Sequence, residues 1–365
     1  MQNIIKRDEY LRRFIDRKEN GLIKVITGIR RSGKSFLLFN LFYDYLIESG
    51  VKKEQIITIA LDDDTFVKYR DPDELSKYIR RKIVNSDMYY ILIDEVQYAI
   101  TKDELKNPEN IRLYNVLNGL MRLRNVDIYV TGSNSKMLTK DVLTAFRGRG
   151  DEVKVYPISF KEYYSFVGGD KSDAYEEYAL YGGMPLVLTK KSDAEKMNYL
   201  NYLIESFLFS NAKRYDVKGK KYFEYPSKYY CTDIGLRNAR LNFRQQEETH
   251  IMENVIYNEL CIRGFDVDVG IIECAERTEN GNTKRCQLGV DFVANKGSQR
   301  YYVQSAFAVS DSAKREQETR GFVKIPDSFK KIVVVRDNII PWHDENGILY
   351  VGIEQFLLED NSLNL

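Results

Sequence analysis

Residues 22–35 read Leu22-Ile23-Lys24-Val25-Ile26-Thr27-Gly28-Ile29-Arg30-Arg31-Ser32-Gly33-Lys34-Ser35, and this stretch decides the fold. Leu22 to Thr27 is a short, β-branched apolar run that predicts a buried strand. Gly28 to Ser35 then match G-x-x-x-x-G-K-[ST] at every fixed position. From Ser35 to Glu48 the apolar residues recur at helical spacing and stop at Ser49-Gly50, a helix C-terminal signal. In a strand–loop–helix unit of this kind the glycines let the backbone turn its N–H groups toward phosphate oxygens. Gly28, Ile29, Arg30, Arg31, Ser32 and Gly33 then form the cradle. Lys34 reaches the β- and γ-phosphates, and the Ser35 hydroxyl takes a magnesium position. ATP with Mg²⁺ is the implied ligand pair.

Working outward, three more apolar runs predict strands: Gln55 to Leu61, Met88 to Ile93 and Val126 to Thr131. Helical patterns lie between them, at Asp73 to Val84 and Asn110 to Leu123. The alternation predicts an α/β fold, a three-layer parallel sheet with helices on both faces. The third strand runs into Asp94-Glu95. An acid at the end of a buried strand is costly unless it serves a cation or hydrogen bonds. Asp94 is therefore the candidate magnesium carboxylate, and Glu95 is placed to orient the attacking water. Thr131-Gly132-Ser133-Asn134 ends the fourth strand. Asn134 or Ser133 is a candidate contact to the γ-phosphate or the water, with a plain turn as the alternative. Arg147 and Arg149 follow. Either guanidinium can stabilise charge on a transferring phosphoryl group, often from a neighbouring subunit, or sit ion-paired in solvent. The candidate catalytic set is Glu95, Asn134 and Arg149.

These residues resemble the AAA+ class of P-loop ATPases, in the branch (AAA_14 type) related to archaeal ATPases and origin-recognition proteins. The resemblance rests on GIRRSGKS, YYILIDEVQ, IYVTGSNSKML and FRGRG followed by YPISFKEY. It extends through YGGMP to a C-terminal domain of uncharacterised function, DUF4143, with a restriction-endonuclease-like α/β core. The segments KYYCTDIGL, HIMENVIYNEL, VDFVAN and YYVQSA carry that part. The expected organisation is an ATPase core over 1–156, a small helical lid over 157–210 and the DUF4143-like domain over 211–365. Members of this group usually carry a winged-helix segment before KYYCTDIGL. Here the lid helix, expected over Asp193 to Phe209, leads straight into KRYDVKGKKYFEY.

Nucleases with such a core need an acid, then a second acid and a lysine on the next strand. Glu253 and Asp291 can supply carboxylates. Gln304 stands at the second acid position, Ala306 stands where the lysine belongs, and position 289 is Gly. The pattern predicts a core that does not cleave. Lys213 to Tyr225 reads either as a hairpin turning at Lys218-Gly219, the favoured reading, or as a basic-aromatic nucleic-acid patch.

Lys plus Arg number 55 and Asp plus Glu 54, so no global charge draws the chain to nucleic acid or membrane. Cys231, Cys261, Cys274 and Cys286 show no zinc-site spacing and read as buried thiols of a cytoplasmic protein. No run approaches a spanning helix, so no membrane partner is expected. Three functions compete. The first is an ATPase whose nucleotide state moves the lid against the C-terminal domain, with a homo-oligomer that shares an arginine as one form of it. The second is an ATPase that positions that domain on DNA. The third is a nucleotide-gated interaction module with little turnover.

Overall fold

The computed structural model describes residues 4–106, 111–132, 149–203, 209–219, 221–222, 227–244, 247–277, 283–309 and 312–365. The chain divides into two compact units, Met1–Pro157 and Ile158–Leu365.

The first unit is built on five strands: β1 (Ile23–Thr27), β2 (Ile56–Ala60), β3 (Tyr89–Asp94), β4 (Val126–Thr131) and β5 (Gly150–Lys154). They pair in the order β2-β3-β4-β1-β5, and every pairing is parallel. β1, β3 and β4 are buried along their whole length, which explains their largely apolar runs. Their alternate residues feed two cores. Ile23, Val25, Ile91, Ile93, Ile128 and Val130 face one side, where they meet Leu75, Ile79, Leu113 and Leu117. Ile26, Tyr90, Leu92 and Tyr129 face the other, where they meet Tyr10, Phe14, Leu37, Leu38 and Phe42. Parallel strands covered on both faces in this order make a P-loop α/β fold. The helix after the loop differs from a plain α-helix, being wound as a π-helix over Leu37–Phe42 between α segments Lys34–Phe36 and Tyr43–Glu48.

The second unit opens with helices Phe160–Val167, Lys171–Tyr181 and Asp193–Tyr202. The last of these is shorter than its sequence predicts. Phe209–Ala212 is not its tail but a strand, β6, paired antiparallel with β9 (Lys228–Cys231). The remainder is an eight-stranded mixed sheet. It comprises β7 (Arg214–Asp216), β8 (Lys221–Tyr222), β10 (Asp266–Arg277), β11 (Thr283–Lys296), β12 (Gln299–Ala306), β13 (Lys330–Val335), β14 (Trp342–His343) and β15 (Leu349–Gly352). β7 and β8 form the expected hairpin, with the Tyr215 and Tyr222 rings edge to face at 5.5 Å.

Two quoted sequence segments prove to be one packing joint. Asp233 accepts from Gly183 N at 2.8 Å and from Leu236 N at 2.9 Å. A Cβ on Gly182 would lie 2.4 Å from the same carboxylate, and one on Gly235 would lie 2.0 Å from Tyr181 O, so both positions require glycine. YGGMP and CTDIGL are thus tied together by backbone contact too close for any side chain.

The thiol expectation is corrected for one pair. Cys274 and Cys286 face each other across β10 and β11 with Cα atoms 5.0 Å apart, within bridging reach, and form a disulfide. Cys231 and Cys261 are free.

Candidate functional site

The loop leaves β1 at Gly28, whose φ is +147°. A Cβ there would lie 2.1 Å from Val155 O, so only glycine lets the chain pass β5's continuation this closely. Gly33 takes the left-handed conformation at φ +92° and starts the helix. Arg31 is also left-handed, at φ +64°, a costly geometry for a residue with a Cβ. The loop is braced from the N-terminal segment by a residue that the motif does not include. Arg7 is buried; its Nη1 donates to Ser32 O at 2.9 Å and its Nη2 to Tyr156 O at 2.9 Å.

Lys34 is 4% exposed and donates to Gly28 O at 3.1 Å and Ile29 O at 2.9 Å. Burial lowers its pKa, while the carboxylates of Glu95 and Asp94 oppose that shift. Asp94, buried at the end of β3, accepts a hydrogen bond from the Thr131 hydroxyl, and the Ser35 hydroxyl lies close by. Burial raises the Asp94 pKa, the Ser35 and Thr131 hydroxyls pull it down, and Glu95 and Asp62 push it up again. Glu95 follows in the left-handed region at φ +53°, its N–H donating to Thr131 Oγ1 at 3.1 Å. Gln97 Nε2 donates to its carboxylate.

The ends of β1, β3 and β4 therefore bring Lys34, Ser35, Asp94, Glu95 and Thr131 to one place. Thr131 is the functional candidate that sequence reasoning missed in favour of its neighbours; its only signal was a hydroxyl ending a buried strand. Ser133, Asn134 and Arg147 lie outside the described residues. Arg149 is not brought to the loop. Its carbonyl accepts from Ile23 N at 2.8 Å, and Gly150 is in register with Ile23 at the opposite end of β1. At roughly 3.3 Å per residue, the five residues from Ile23 to Gly28 put it about 16 Å from the loop, beyond the reach of its side chain. Within one copy, Arg149 does not touch a phosphate held there.

The site fits a phosphate chain and a hard cation. Ser32 Oγ is fully buried with no hydrogen-bond partner, which is costly until an acceptor or donor arrives. The Ser35 hydroxyl and the Asp94 carboxylate are hard oxygen ligands that lie close together.

In the second unit the expected nuclease residues do converge, with a lysine from elsewhere. Glu253 accepts from Tyr230 Oη at 2.6 Å and pairs with Lys228 of β9. Asp291 Oδ2 accepts from Ser305 N at 2.9 Å, and Gln304 Oε1 accepts from Asp291 N at 3.3 Å. Among the described residues no group of three His, Cys, Asp or Glu is placed to hold a metal. Burial, and then the Glu253 charge, push the Asp291 carboxyl up to about 7. The folded state holds this proton more tightly than the unfolded chain, so the stabilisation is complete below pH about 4 and is lost as pH rises through about 7. Urea midpoints are expected to fall between pH about 4 and about 7, and to fall less in Asp291→Asn. An equal fall in both proteins would contradict this assignment.

This sheet, loop and carboxylate pair define the class: a P-loop α/β domain joined to a further unit with a mixed sheet. The family model of the AAA domain matches residues 2–164. Over longer spans the chain is similar to an uncharacterized protein of Haemophilus influenzae, at 28% identity over 400 aligned positions covering 91% of this chain and 93% of the relative. It is similar also to the uncharacterized protein MJ1544 of Methanocaldococcus jannaschii, at 24% identity covering 93% of this chain and 85% of the relative. Among solved structures, the Aeropyrum pernix ORC1 protein in complex with DNA aligns with a TM-score of 0.33 and 12% identity, covering 70% of this chain and 71% of that one. Among the described residues no helix is long and apolar enough to cross a membrane.

Proposed function

We propose that the first unit binds ATP with Mg²⁺ and hydrolyses it. The observation that carries this reading is the meeting of Lys34, Ser35, Asp94 and Thr131, with Asp94 accepting from the Thr131 hydroxyl at the mouth of a loop whose tight passage requires Gly28. Lys34 exchanges its two loop carbonyls for phosphate oxygens, regaining a full counter-charge. The loop N–H groups and the Ser32 hydroxyl bind the remaining oxygens. Ser35 and Asp94 would hold Mg²⁺, which supplies charge neutralisation to the phosphates. Glu95, aimed by its left-handed backbone and by Gln97, accepts the proton of the attacking water. Thr131 fixes the spacing between the two acids by bonding to both of their residues. An arginine acting on the phosphate, if it is Arg149, comes from a second copy, and turnover per molecule then rises with protein concentration.

The same reading assigns the energy of hydrolysis to a rearrangement involving the second unit, with the DUF4143-like core not cleaving nucleic acid because Gln304 replaces the second acid and Lys228 is paired with Glu253. The 400-position alignment with the Haemophilus influenzae relative is longer than the 365 residues of this chain, which supports a segment missing from its interior. Phosphate release from ATP, dependent on Mg²⁺ and lost in Lys34→Ala, tests the assignment. Turnover that survives that substitution rejects it.

A further inference from the structure

The second unit holds a polar cavity of about 440 Å³ that the ATP reading leaves unused. It lies between the helices Phe160–Val167 and Lys171–Tyr181, the residues that follow β13, and the start of the helix Ile353–Leu358. Three carboxylates, Asp170, Asp337 and Glu354, and two cations, Lys171 and Arg336, line it.

Glu354 is the member that the fold does not explain. It is 5% exposed, yet among the described residues no hydrogen bond or ion pair reaches its carboxylate. A carboxylate buried without a partner is costly. Burial raises its pKa, Arg336 lowers it from a distance, Asp170 raises it and Lys171 lowers it. Arg336 does not close on it, because Nη2 donates to Glu176 at 3.4 Å and the guanidinium lies 4.8 Å over the Tyr175 ring. Asp170 caps its helix through Oδ1, which accepts from Ser172 N at 2.8 Å and Asp173 N at 3.1 Å, and no cation pairs with it. With Arg336 committed to Glu176, three acids face one lysine, and the cavity is complementary to a cation.

The arrangement of the acids says which kind. A resident divalent ion is held by several oxygens drawn to one point. Among the described residues no three acids converge in that way. Acids spread along one cavity suit a chain that carries positive groups at intervals. We propose that this cavity binds a linear polyamine, with one ammonium group on the buried Glu354 and the next on Asp337 at the exposed rim.

The test is calorimetry on the full-length chain without ATP, titrated with the triamine spermidine, with Mg²⁺ and tetralysine as competitors. Saturable binding near one spermidine per chain is expected. Glu354→Gln is expected to weaken it about 10- to 150-fold, the range for losing a hydrogen bond to a charged group. Asp337→Asn, at the surface, should weaken it by a smaller factor, and Glu54→Gln, an exposed acid of the first unit, should leave it unchanged. Thermal melts supply a second reading. Glu354→Gln removes an unpaired buried charge, so without spermidine the variant should melt no lower than the parent, and spermidine should raise the melting temperature of the parent alone. No saturable binding, equal binding by Glu354→Gln, or an equal loss in Glu54→Gln overturns the proposal. So does a Glu354→Gln variant that melts lower, which would show that the fold itself uses the carboxylate. Displacement of spermidine by an equal concentration of Mg²⁺, or preference for tetralysine, also overturns it, in favour of a metal ion or a basic peptide.

Discussion

Glu95→Gln is expected to lower ATP turnover by about 10²- to 10⁴-fold, the usual contribution of a positioned general base, while ATP affinity changes little. The reasoning starts from the backbone. Glu95 comes directly after a fully buried strand and sits at φ +53°, a conformation that a residue with a side chain adopts only when its surroundings impose it. Its N–H is tied to Thr131 and its carboxylate to Gln97, so the side chain is aimed rather than free. Glutamine has the same shape and can still accept from Gln97, but it does not take a proton from water. The phosphate-binding parts, Lys34 and the loop, are untouched. Measured phosphate release should therefore collapse while a fluorescent ATP analogue still binds. If turnover is retained, the base lies elsewhere.

The second large effect concerns stability. Lys24 and Asp127 form an ion pair in the interior of the first unit, with exposures of 0% and 1%. Each partner has one further bond: Lys24 Nζ donates to Leu22 O at 3.0 Å, and Asp127 Oδ2 accepts from Glu19 N at 2.9 Å. Burial pulls the lysine pKa down, and Asp127 is the main influence holding it up. Asp127→Ala strands the ammonium in the core and is expected to cost about 3–5 kcal/mol, whereas replacing both partners by apolar residues of similar volume should recover most of that loss. Chemical denaturation of the two variants reads this directly. A loss below about 1 kcal/mol in Asp127→Ala would show that the pair is not desolvated as described.

How much of this was legible in the sequence depended on how each residue is buried. β1, β3 and β4 stood out because covering both faces of a parallel sheet leaves few polar positions, and the two inside β1 and β4, Lys24 and Asp127, pair with each other. β5 did not, because Gly150-Asp151-Glu152-Val153-Lys154 is an edge strand with a single buried residue, Val153. The loop, Asp94 and Glu95 were visible because their chemistry is local to a strand end. Arg7 was not, since its bonds reach 25 and 149 residues along the chain and no local pattern signals them. Lys228 was missed for the same reason, as it meets Glu253 only when β9 packs on the helix Glu248–Ile262. The helix from Asp193 was drawn too long because Phe209 continues an apolar spacing, while pairing with Cys231 sends it into a strand. The disulfide was hidden because facing cysteines on a long hairpin are twelve residues apart and resemble no short motif.

Equilibrium binding of ATP in the presence of Mg²⁺, measured by calorimetry on the parent chain and on Lys34→Ala, tests the central claim most directly. The expected result is saturable binding near one ATP per chain that needs Mg²⁺ for full affinity and is lost or greatly weakened in the variant. A folded parent chain with no affinity for ATP, or a variant that binds as tightly as the parent, would contradict it.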